Sequence, residues 1–70
     1  MSKKLKIRVA EISIDEKIIE YDVAAEDDIH ARDLIVRFLA ERNTRWKSIR
    51  VRATPQEVTG PPRVIGPRNL

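Results

Sequence analysis

The chain has 70 residues, no cysteine, 14 Lys or Arg against 11 Asp or Glu, and a formal net charge of +3. A length of this order allows one domain whose core rarely supplies more than ~3–5 kcal/mol of net stability, and without thiols neither a disulfide nor a thiolate metal site staples it. The longest apolar runs are three residues, too short to span a membrane, and the charged start (Met1, Ser2, Lys3, Lys4) lacks the apolar segment of a secretory signal, so a cytoplasmic protein is expected.

Leu5, Ile7 and Val9 alternate with Lys6 and Arg8, the period of a half-buried strand. The phase then slips: Ile12 and Ile14 fall on the opposite parity, so either a bulge re-aims the strand or its far end faces solvent. Asp15, Glu16 and Lys17 mark the turn, without the glycine or asparagine that a tight primed turn prefers. Ile19, Tyr21 and Val23 form a second inward set, with Glu20 and Asp22 outward. A β-hairpin is expected over residues 4–23.

The strongest pattern follows, from Asp27 to Arg42. Ala31, Leu34, Ile35, Phe38 and Leu39 recur at the spacing that places side chains on one stripe of a helix. Asp27 is the expected N-cap, with Asp28 close behind, because a short carboxylate accepts the orphan amides of the first turn. Asn43 provides the stop, being second only to glycine as the left-handed residue that ends a helix.

Trp46 to Ala53 predicts a third strand, with Ile49, Val51 and Ala53 pointing one way and Ser48, Arg50 and Arg52 the other. Pro55 is expected to end it. Beyond Gln56 the prolines at 61, 62 and 67 and the glycines at 60 and 66 break up the chain, leaving room at most for a short edge strand at Val64 and Ile65. The expected fold is therefore α+β: a ββαβ domain over residues 1–54 and an extended Pro/Gly tail over 55–70. One helix covers one face of a three-stranded sheet. Order 2-1-3 is favoured because the helix then crosses all three strands; loop length leaves 1-2-3 open.

The passage from Ile19 to Leu39, a strand ending in Val23, a short acidic link and an amphipathic helix, resembles the opening of ubiquitin-like β-grasp domains. Past the helix the chain departs from that family. One strand follows where a complete β-grasp has two or more, and the chain closes on Arg68, Asn69 and Leu70 without a diglycine. The resemblance therefore carries neither conjugation nor sulfur transfer to any residue here.

Charge is unevenly placed: residues 1–13 carry four positive and one negative side chain, 14–28 one and seven, 29–52 seven and two, and the remainder two and one. If Leu5, Ile7, Val9, Ile19, Tyr21, Val23, Ile49 and Val51 face the helix, Lys6 and Arg8 share the open face with Glu20, Asp22, Arg50 and Arg52. That face reads either as a solvated surface with partly paired charges or as a basic strip for phosphates. Trp46, between Arg45 and Lys47, either stacks on a base or anchors an interface, or else caps the core against Phe38 and Leu39. Ile12, Ile14 and Ile18 near the hairpin tip suit a contact patch or a resting place for the tail.

No catalytic constellation is legible. His30 has no second histidine or cysteine to complete a metal site. Asp27, Asp28 and Asp33 lack the enclosing cleft that tunes a carboxylate dyad. Ser2, Ser13 and Ser48 lack a base, and both glycines lie outside any phosphate-cradling loop. The expectation is a non-catalytic accessory module, without metal, cofactor or small-molecule substrate, that docks on nucleic acid or a ribonucleoprotein. Its binding residues are Lys6, Arg8, Arg45, Trp46, Lys47, Arg50, Arg52, Arg63 and Arg68, and replacing Arg50 and Arg52 by Glu is expected to weaken binding without unfolding. The alternative is a protein-interaction module: an inhibitor, a phage-type host-factor binder, an assembly subunit or a homo-oligomer, using the open face, a strand edge and the tail.

Overall fold

A computed structural model describes residues 4–68; Ser2 and the last two residues of the expected tail, Asn69 and Leu70, lie outside the described residues. The elements are β1 (Lys4–Ile14), β2 (Lys17–Ala25), α1 (Asp28–Glu41), β3 (Ser48–Thr59) and β4 (Arg63–Pro67). They form an α+β fold with one helix and a four-stranded antiparallel sheet in order β3-β1-β2-β4. β1 lies between β2 and β3, as order 2-1-3 expects. The expected three-stranded sheet is corrected to four, because β4 pairs along the outer side of β2. No helix among the described residues is long and apolar enough to cross a membrane.

The helix is capped at both ends by the residues its sequence suggests. The Asp27 carboxylate accepts from the amide of His30 at 2.7 Å. At the other end Asn43 adopts φ 53°, the amide of Asn43 donates to the carbonyl of Ala40, and that of Thr44 to Leu39, the paired bonds of a left-handed helix stop. Ala31, Ile35 and Leu39 are buried against Ala10, Ile12, Val23 and Ala25. Tyr21, Leu34, Phe38, Trp46, Ile49, Val51 and Val64 pack around them. The helix touches all four strands.

The helix-facing set of β1 is Ala10, Ile12 and Ile14, not Leu5, Ile7 and Val9 as expected. The register with β2 runs unbroken from Lys6 opposite Ala25 to Ile14 opposite Lys17, so no bulge in that pairing causes the phase slip. It records a change of buried face instead. β1 is the central strand, and Leu5 and Val9 are buried on the side away from the helix, with Ala24 of β2 beside them. Alternation along the strand then puts Lys6 and Arg8 on the helix side.

Pro55 does not end β3. Lys6 pairs with Glu57 and Arg8 with Ala53, so Thr54, Pro55 and Gln56 stand opposite Ile7 alone. A proline is tolerated in such a bulge because it owes no ladder hydrogen bond there. β3 therefore crosses the expected boundary between domain and tail. Gly60, Pro61 and Pro62 then link it to β4, with Gly60 at φ 110°. In place of an extended tail, residues 55–67 supply the end of one strand and the whole of another.

Candidate functional site

The nine residues singled out from the sequence do not form one surface. Lys6 and Arg8 are on the helix side. The Arg8 side chain, 12% exposed, bonds the Asp28 carboxylate and the Glu26 carbonyl at 3.1 Å, tying β1 to the start of the helix. Arg52 stands on the far face and divides its guanidinium between Glu11 at 3.1 Å and Glu20 at 3.0 Å. Those hydrogen bonds, Glu20 first and then Glu11, hold Arg52 above its ordinary pKa. Arg68 bonds the Asp22 carboxylate at 2.8 Å, and Arg63 donates to the carbonyls of Thr59 and Pro61. Four of the arginines are thus committed within the chain. The expected strip running from Arg8 to Arg52 is absent, because Glu11 rather than a base occupies the central strand between β2 and β3 on that face.

Lys6 lies at the other end of the sheet, opposite Ala25 and Glu57, whereas Arg45 and Lys47 stand at the hairpin end. Ser13 pairs with Ser48 and the Lys47 amide donates to the Ser13 carbonyl at 2.7 Å, which brings the segment before β3 alongside the β1–β2 turn. Asp15 and Glu16 form that turn, with Asp15 at φ 53°. Between the two segments opens a groove of about 1000 Å³ lined by Ile14, Asp15, Glu16, Lys17, Ile19, Arg45, Trp46 and Lys47. Ile18 beside it is 68% exposed. Trp46 is half-buried: it packs on the core and lies 5.7 Å from the Arg32 guanidinium carbon, while also lining the groove. Part of its surface therefore caps the core, and the rest is open to the groove. Arg45, Lys47, Lys17 and Arg50 make no ion pair among the described residues.

Chemically, the groove offers two aliphatic side chains, one indole, three cations and two carboxylates. Among the described residues no group of three His, Asp or Glu side chains is placed to hold a metal ion. Sequence reasoning missed Lys17, Ile14 and Ile19 as partners of Trp46. The signals were the location of Lys17 at a turn and the contact patch read at Ile14, and the pairing that brings that turn to Trp46 spans more than thirty residues. Comparison with protein-family models, curated proteins and solved structures finds no match to this chain.

Proposed function

We propose that this protein is a non-catalytic module that docks on nucleic acid or a ribonucleoprotein through its hairpin end. The observation that carries the reading is the juxtaposition of Lys17, Arg45 and Lys47 around Trp46 in one open groove. Support also comes from the paired state of the sheet charges: with Arg52 and Arg68 held by acids, the uncommitted positive potential of this end lies at Lys17, Arg45, Lys47 and Arg50. Closely spaced cations on a small surface attract a polyanion and release its counterions, so affinity falls with salt.

The test is a titration of the protein with a mixed-sequence oligonucleotide at rising salt. With about three phosphates neutralised, a fourfold rise in salt lowers affinity roughly 20-fold. Arg45→Glu with Lys47→Glu should abolish binding while the circular dichroism spectrum stays unchanged. Absence of any retention on nucleic acid at low salt would sink the proposal.

A second reading is favoured by the outer edge of β3, which faces no neighbouring strand in the sheet order. Its regular part before the Pro55 bulge offers backbone groups to an added strand. Light scattering on a sizing column tests the self-paired case: a strict monomer removes it.

A further inference from the structure

Resting on that reading of the hairpin-end groove, we infer that the ligand is specifically single-stranded nucleic acid, held by stacking one unpaired base on Trp46. Phosphate docking alone needs only cations on a convex surface. Here Lys17, Arg45 and Lys47, with Asp15 and Glu16, share an open groove with apolar side chains: Ile14 and Ile19 come from the two strands of the hairpin, and Trp46 from the segment before β3. An indole beside aliphatic side chains accepts the face of a planar, weakly polar ring. Base stacking of this kind is tolerant of sequence because every base presents such a face. In a duplex the faces are already stacked, so a base must leave the helix to enter.

Order in the ring supports the assignment. Trp46 is held by core packing and by the Arg32 guanidinium over its ring, so little side-chain freedom is lost when a base covers the part that lines the groove. Lys17, Arg45 and Lys47 line the same groove, where the sugar-phosphate backbone on either side of the stacked base would run. Asp15 and Glu16, which repel phosphate, are acceptors for the amino and imino donors on a base edge. An acidic peptide would meet the same cations, but its carboxylate side chains carry no aromatic ring to stack on the indole, so the single strand is the occupant the geometry favours.

Trp46 is the only tryptophan of the chain, and its fluorescence reports the groove directly. The full chain is titrated with a single-stranded oligonucleotide, its duplex, an abasic strand of equal length and polyglutamate. The inference expects quenching of Trp46 by the single strand alone. It also expects roughly 5- to 100-fold weaker binding of the abasic strand, with a similar salt slope. Trp46→Phe should retain folding and part of that preference. Equal affinity for abasic and base-bearing strands without quenching overturns the stacked base and leaves phosphate docking standing. Tighter binding of the duplex likewise overturns the inference alone. No binding of any nucleic acid at low salt overturns both, as does polyglutamate binding more tightly than the single strand.

Discussion

The hydroxyl of Thr54 donates to the carbonyl of Ile7 at 2.6 Å across the one place where β1 and β3 lose register. It also accepts from the amide of Gln56 at 3.3 Å. A single buried hydroxyl (Thr54 is 9% exposed) therefore stands in for ladder bonds that the bulge removes. Thr54→Val keeps the shape and deletes the bonds, leaving polar backbone groups in a shielded place. The expected cost is roughly 1–3 kcal/mol, read as a lower urea midpoint, with Thr54→Ser recovering most of it. An unchanged midpoint for Thr54→Val would show that solvent already satisfies the bulge.

Arg8 makes a comparable connection on the other side of the sheet. Its guanidinium serves both the Asp28 carboxylate and the Glu26 carbonyl with different nitrogens, while its Nε is buried without a partner among the described residues. A lysine ammonium is a point charge that cannot hold two divergent acceptors in the same way. Arg8→Lys is expected to lower stability by about 1 kcal/mol and to increase amide exchange first in the opening turn of α1. If Arg8→Lys matched the parent protein in both measurements, the two-acceptor contact would have no energetic role.

The helix and its caps were legible because their causes are local. The repeat of Ala31, Ile35 and Leu39, the carboxylate of Asp27 and the tolerance of Asn43 for positive φ all act within one or two turns. The inward sets of β2 and β3 were legible for the same reason. The phase of β1 was not, since Leu5, Val9, Ala10 and Ile12 are all buried and a strand apolar on both faces has no unique parity. What decides its helix side is the position of a helix that begins 14 residues after β1 ends. Pro55 misled because the rule against proline in a ladder holds only where the ladder is regular. The candidate groove was half legible: Arg45, Trp46 and Lys47 are consecutive, whereas Lys17 and Ile19 join them only through pairing of distant strands.

The two arginines of β3 on the far face are expected to separate stability from binding. Arg52 bridges Glu11 and Glu20; Arg50 makes no ion pair among the described residues. Arg52→Gln should lower the thermal midpoint, by an amount that shrinks as salt screens the surface, whereas Arg50→Gln should leave it nearly unchanged. Affinity for an oligonucleotide should respond in the reverse order. Because Arg52 is held above its ordinary pKa, its contribution is fully present from neutral pH up to that ordinary value and is lost only as pH rises through the raised one. The stability gap between the parent and Arg52→Gln is therefore expected to stay flat from neutral into alkaline solution. A gap that closed over that range would assign the effect to a different group.

The connection from β3 to β4 supplies the sharpest test of how the chain's last third is held. Gly60 sits at φ 110°, where a side chain is strained, and a Cβ there would stand 2.9 Å from Nη1 of Arg63. That same nitrogen donates to the carbonyl of Pro61 at 2.9 Å. Gly60→Ala thus carries two costs: backbone strain of roughly 1–2 kcal/mol, and displacement of the Arg63 guanidinium from the carbonyls it holds. In an Arg63→Ala background only the first cost remains, so the two substitutions together should destabilise less than the sum of each alone. Urea denaturation of the four proteins in this cycle measures the difference. Strict additivity would mean that Arg63 has room to move aside, and that the glycine is required by backbone conformation alone.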